Sequence, residues 1–116
     1  MLARVLVALV AALHVWFLVL EMFLWDKPAG LRAFGHTPEA ARASKVLAAN
    51  QGLYNGFLAA GLFWSLAVAP VGNDVQVFFL VCVIVAGVFG AITASRKILY
   101  IQALPAVVAL AVALFA

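Results

Sequence analysis

Apolar side chains fill most of this chain in four blocks, and the polar residues between and inside them set the reading. The blocks run from about 2–25, 38–69, 74–94 and 97–116, the second becoming apolar from Val46 onward. Crossing ~30 Å of hydrocarbon takes ~20 helical residues at ~1.5 Å each, and each block reaches that length. Thr37-Pro38-Glu39 reads as a helix start: a hydroxyl cap, proline at the first helical position and an acid in the first turn. Asn73 or Asp74 caps the third helix after Pro70-Val71-Gly72, and Pro105 predicts a local kink in the fourth. The expected fold is all-α. Residues 1–116 form one domain, a four-helix transmembrane bundle with antiparallel neighbours.

The connections refine this picture. Asp26–His36 is the one long link and holds Pro28, Gly30 and Gly35, whereas the other two are tight. Glu39–Lys45 is a mostly polar turn or two, expected to project beyond the headgroups. Lys27, Arg32, Arg42, Lys45, Arg96 and Lys97 fall on one side of the bundle and only Arg4 on the other. Cations favour the cytoplasm, so both termini are expected on the extracytoplasmic side of the cell (inner) membrane in a multi-pass chain. Trp25 suits an interfacial anchor.

Composition agrees with the pattern. Hydrophobic residues make up 69% of the 116 positions and charged ones 9%; mean hydropathy is +1.23. Soluble domains sit near ~45–50% apolar and ~25% charged. Arg4 followed by an apolar run resembles a secretory signal, but the run continues to Trp25 and contains His14 and Glu21. A retained helix fits better. The lone Cys82 has no partner for an internal disulfide, and no Cys/His spacing suits a metal. The net charge of +3 comes from scattered loop cations. It carries no basic run for nucleic acid, and nothing calls for a cofactor.

The polar residues inside the blocks carry the candidate chemistry. Asn50-Gln51-Gly52-Leu53-Tyr54-Asn55-Gly56 places four hydrogen-bonding side chains and two glycines within two helical turns. Gln51, Tyr54 and Asn55 share a face, with Asn50 on its flank; Gly52 and Gly56 let another helix approach closely. Counted at ~1.5 Å per residue, Glu21 lies ~7 Å and His14 ~18 Å below the cytoplasmic edge. Asn50 and Gln51 lie at ~8–9 Å, Tyr54 and Asn55 at ~14–15 Å, and Tyr100 and Gln102 at ~5–8 Å. Thr93 is one turn from Arg96. All four helices thus bring polar groups to the cytoplasmic half, while the outer half has little beyond Trp64, Ser65 and Gln76. Glu21 is costly as a bare charge there, so it is expected to be protonated or paired with Arg96, Lys97 or the amides of Asn50 and Gln51. His14, seven residues earlier, shares its face.

Each signal has a plainer reading. Membrane Asn, Gln and His are often interhelical glue, Arg96 and Lys97 are topology anchors, and Tyr100 is as much an interfacial aromatic as a site residue. His14 with Glu21-Met22, the Asn50–Gly56 block, Ala86-Gly87-Val88-Phe89-Gly90 with Thr93, and Gln102 with Pro105-Ala106 together resemble the DUF1304 family of small bacterial membrane proteins. The resemblance spans essentially the whole chain. It implies four transmembrane helices and no particular activity, and it supports His14, Glu21, Asn50, Gln51, Tyr54, Asn55 and Gln102 as the set to test.

Three function classes follow. The first is a cytoplasmic-half pocket for a small hydrophobic or amphipathic molecule, with isomerase-like acid–base chemistry open to it. Glu21 and His14 would be the catalytic pair, and Asn50, Gln51, Tyr54, Asn55, Thr93, Tyr100 and Gln102 would bind substrate. The second is a proton-coupled transporter using Glu21. Small multidrug transporters are similar in size and in having one membrane Glu in the first helix, but the strong charge bias and the long first connection differ from theirs. The third is a structural or partner-binding subunit. Expected partners are membrane lipid, the small ligand and a second copy of the chain, through the Gly52/Gly56 or Gly90/Ala94 seam.

Overall fold

A computed structural model describes all 116 residues, and the chain is all-helical. In order come α1 (Leu2–Met22), α2 (Pro28–Phe34), α3 (Pro38–Val68), α4 (Asp74–Thr93), a π-helical segment (Leu99–Ala103) and α5 (Leu104–Phe115). The caps follow local chemistry. Thr37 Oγ1 accepts from the Ala40 N–H at 3.2 Å to open α3, and Asn73 Oδ1 accepts from Gln76 N–H at 2.9 Å to open α4.

Two elements differ from the sequence expectation. The long first connection contains α2, because its proline and glycine act as helix start and stop. Pro28 occupies the first helical turn after an extended Lys27, and Gly35 closes the helix in the left-handed region at φ 65°. The kink expected at Pro105 takes the form of the π-helical segment just before it, where Leu104 N–H reaches back to Leu99 O. A proline ring crowds the carbonyl four residues earlier, here Ile101, and one wide turn relieves that.

The chain divides into two compact units: residues 1–12 with 58–116, and residues 13–57. In the first, the core joins Val7, Val10 and Ala11 of α1, Leu62 of α3, Leu80 and Val83 of α4, and Ala106 and Ala109 of α5. Small residues set its close approaches. A Cβ on Gly87 would fall 2.7 Å from the Ala103 backbone nitrogen, and Phe79's ring fills the space over Gly61. Arg4 pins α1 to α3 by donating to Leu66 O at 2.9 Å. The α3–α4 turn is closed by buried polar groups. Gly72, at φ 84°, donates to Gln76 Oε1 at 2.8 Å; Gln76 Nε2 donates to Ser65 Oγ at 3.3 Å; and Asn73 Nδ2 donates to Ser65 O at 2.9 Å.

In the second unit α2 is held tightly. Gly30 is buried against the carbonyls of Leu24 and Trp25, leaving no room for a side chain. Trp25 packs on Phe34 and His36 with ring centroids 4.7 and 4.4 Å apart. Its indole donates to Ser44 Oγ at 3.1 Å, and Lys45 Nζ donates to Asp26 Oδ2 at 3.1 Å.

Two helices, α1 and α4, are long and apolar enough to cross a membrane, and Leu99–Phe115 is a shorter apolar helix. The amides of Asn50, Gln51 and Asn55 lower the hydropathy of α3 below that level. Large apolar side chains stand exposed on every long helix, among them Leu9, Trp16, Phe57, Phe63, Phe89, Ile92 and Val108.

Candidate functional site

Helix geometry selects one residue of the Asn50–Gly56 block. At ~100° per residue Asn55 lies between Gly52 and Ala59 in projection, whereas Tyr54 points ~100° away. The buried stripe of α3 is accordingly Ala41, Ala48, Gly52, Asn55, Ala59, Leu62 and Ser65. Asn55 is 6% exposed and Tyr54 55%; Asn50 and Gln51 are also exposed. Gly52 makes room for α1: a Cβ there would come 2.6 Å from Met22 Cγ and 3.1 Å from Glu21 Cβ. Gly56 receives Leu18 in the same way. The Gly52/Gly56 seam is therefore filled by the chain's own α1.

This close approach brings Asn55 Nδ2 to Glu21 Oε1, and the amide donates to the carboxyl. Both groups belong to the second unit and lie 34 residues apart in sequence. The amide that meets Glu21 is that of Asn55, not the expected Asn50 or Gln51; Asn50 Nδ2 instead donates to Val46 O of its own helix at 2.9 Å. His14 is fully buried, with its ring edge-on to Phe17 at 5.1 Å. It shares the α1 face of Glu21, two turns away.

The remaining candidates lie in the first unit. Thr93 Oγ1 donates to Phe89 O at 2.8 Å, a bond within its own helix. Tyr100 is exposed and Gln102 half-buried, both in the π-helical segment. No group of three or more His, Cys, Asp or Glu side chains is placed to hold a metal ion.

Sequence reasoning passed over two constellations. One is the Ser65–Asn73–Gln76 network, whose Ser65 and Gln76 are fully buried. Its signal was a polar residue at i and another at i+11 flanking a Pro-x-Gly-Asn turn. The other is the Trp25–Phe34–His36 aromatic group around α2, whose signal was the Lys27-Pro28…Gly35 bracket.

Comparison with known proteins bears on what this arrangement belongs to. Residues 8–114 match the family described as "protein of unknown function" (DUF1304), and the chain belongs to that family. A relative from Lactococcus lactis subsp. lactis (strain IL1403), the uncharacterized protein YpaA, is 28% identical over 109 residues, covering 91% of this chain and 92% of its own. No solved structure matches.

Proposed function

We propose that the chain is a multi-pass inner-membrane protein that holds a small hydrophobic or amphipathic molecule against Glu21, with His14 available for proton transfer. Four spanning segments and extracytoplasmic termini are part of this reading. The exposed apolar side chains on each long helix support it. So do the six cations on one side against one on the other. The observation that carries the site is the Asn55–Glu21 hydrogen bond. A carboxyl group in hydrocarbon is expensive, and this chain spends a matched amide and two glycines on keeping one. A ligand's polar group would replace or extend the Asn55 contact while its apolar part rests among the α1 and α3 side chains.

A second reading has its own support. Gly52 and Gly56 close tightly on Leu18, Glu21 and Met22, which favours a bond that simply locks α1 to α3. Native mass spectrometry and lipidomics on the detergent-purified protein separate the two. The ligand reading expects a defined co-purifying molecule in wild type that is lost in Glu21→Gln and His14→Ala while the fold is kept. An unliganded wild type, with both variants only lowering the melting temperature, overturns it in favour of the lock.

A further inference from the structure

Both glycine seams expected to receive a second copy of the chain are filled from within it. Leu18 and Met22 of α1 close on Gly56 and Gly52, and Ile98 Cγ2 lies 3.0 Å from where a Cβ on Gly90 would stand. What α3 leaves uncovered is a different face. Leu47, Asn50 and Tyr54 follow one line at i, i+3 and i+7, flanked by Gln51 and Phe57, and all five are exposed. At ~100° per residue this line lies roughly 130° around α3 from the buried Ala48–Gly52–Asn55 stripe. Its polar groups are only partly used. Asn50 Nδ2 donates to Val46 O at 2.9 Å, which leaves its second N–H and its Oδ1 over. Gln51 makes no hydrogen bond within the chain, and Tyr54 makes only a ring contact with Phe57, centroids 6.0 Å apart.

On the spanning reading these groups lie ~8–14 Å inside the hydrocarbon, counted from Lys45 at ~1.5 Å per residue. Acyl chains offer them neither donor nor acceptor, so another protein chain has to. Topology and charge say which one. Two copies inserted by the same cation bias run parallel, and their twofold axis then stands along the membrane normal. Each residue on the line meets its own image, so the face has to be complementary to itself. From Val46 to Val68 no charge stands on α3 to repel that image. Carboxamide and phenol groups both donate and accept, so Asn50 can pair with Asn50 and Tyr54 with Tyr54, and one amide in an apolar helix seam fixes its register. From this self-complementarity we infer that the Leu47–Asn50–Tyr54 line is a dimer contact, a parallel α3–α3 seam with a second copy of the chain. The inference rests on reading α3 as a spanning helix, and not on a ligand at Glu21.

The test is thiol crosslinking in membranes of the expressing cells, with Cys82→Ala as the background. Val46 and Leu47 are neighbours at one depth, 75% and 74% exposed, yet ~100° apart around α3. A short bismaleimide is expected to join Leu47→Cys chains into a species of twice the 12.3 kDa chain mass. The yield should exceed that of Val46→Cys about fivefold. Equal yields, or no product from Leu47→Cys, overturn the inference; a product of any other mass overturns it in favour of a different protein on this face. Asn50→Leu with Tyr54→Phe changes exposed positions only and leaves the Glu21–Asn55 bond in place. Energy transfer between N-terminally labelled full-length copies, diluted in phosphatidylcholine–phosphatidylglycerol vesicles, should show association about tenfold weaker in this variant. Unchanged association overturns the seam, and this measurement decides if the cysteine variants fail to fold. Leu53→Cys, off the seam, keeps the two readings apart. Much slower reaction with a water-soluble maleimide than at Thr37→Cys supports α3 as a spanning helix, so that a missing crosslink then faults the seam alone. Reaction as fast as at Thr37→Cys overturns the spanning reading and the seam with it.

Discussion

The two units bury polar groups in different ways. Around the α3–α4 turn, Ser65, Gln76 and Asn73 are neutral, close in sequence and bonded to one another and to nearby backbone. Around Glu21 the group is an acid, and its partner Asn55 comes from another helix 34 residues away. The first arrangement is the one expected of a turn that only needs closing, since each donor meets an acceptor already at hand. The second needs two helices aligned to place one amide on one carboxyl. Hydrogen bonds to charged groups are worth roughly twice neutral ones, and an acid without its partner is correspondingly costly. The contrast separates a polar network that closes a turn between neighbours from a bond that joins two helices across 34 residues.

Steric changes should give the largest effects, and they test whether both units are equally tight. Gly30→Ala in the second unit and Gly87→Ala in the first each drive a Cβ into backbone rather than into a movable side chain. Each is expected to cost about 1–3 kcal/mol, with Gly30 at the upper end because it meets two carbonyls. Denaturant melts monitored by circular dichroism measure this. A neutral Gly30→Ala would mean that α2 is loosely held, and the contrast would lose one of its terms.

The polar groups come next. Gln76→Leu strips partners from Gly72 N–H and Ser65 and is expected to destabilise by about 1–3 kcal/mol. Asn55→Leu should cost a similar amount for a different reason, by leaving the Glu21 carboxyl without its donor. A double-mutant cycle sharpens the difference. Glu21→Leu should remove most of the Asn55→Leu penalty, with a coupling of about 0.5–3 kcal/mol, while leaving the Gln76→Leu penalty untouched. Additive losses for Glu21 and Asn55 would show that the pair is not a unit.

Much of this was readable along the chain, for physical reasons that also explain what was not. The α3 and α4 starts rest on caps within three residues, which sequence displays directly. Glu21 and Asn55 stood out because polar groups in hydrocarbon need partners. Which amide meets Glu21 was not readable, since that depends on the rotation of α3 about its axis, and Gly52 and Gly56 set that rotation through packing on Leu18 and Met22. The same rotation turned Tyr54 and Asn50 outward. Helix α2 was hidden because Pro28 and Gly35 mark loops and helix ends alike, and seven residues are too few for a periodicity to decide.

Within the seam, the two glycines should differ. Gly56→Ala meets only the Leu18 Cδ1 methyl, which can swing aside, so a change within about 0.5 kcal/mol is expected. Gly52→Ala confronts Met22 Cγ, Glu21 Cβ and the Leu18 carbonyl, and it should cost more and weaken the Glu21–Asn55 bond with it. Equal effects at both positions would remove Gly52 as the residue that sets the α1–α3 approach.

The smallest effect lies at the edge of the second unit, where the acid is exposed and its partner is a cation. The Lys45 ammonium beside Asp26 holds that carboxyl below its ordinary value of 3.8, chiefly through the hydrogen bond it donates. A carboxyl whose value is depressed by folding binds fewer protons in the folded state. Its contribution is therefore complete above about 3.8 and fades as pH falls through the lower folded value. Salt should weaken it further, because the pair faces solvent. Lys45→Gln is expected to leave stability at neutral pH nearly unchanged and to flatten its decline on acidification from about pH 5 to about pH 2. Melting temperature against pH for wild type and Lys45→Gln measures this, and superimposable slopes would show that the pair contributes nothing. Such a result would sharpen the contrast between the exposed Asp26 carboxyl and the Glu21 carboxyl, whose amide partner comes from another helix.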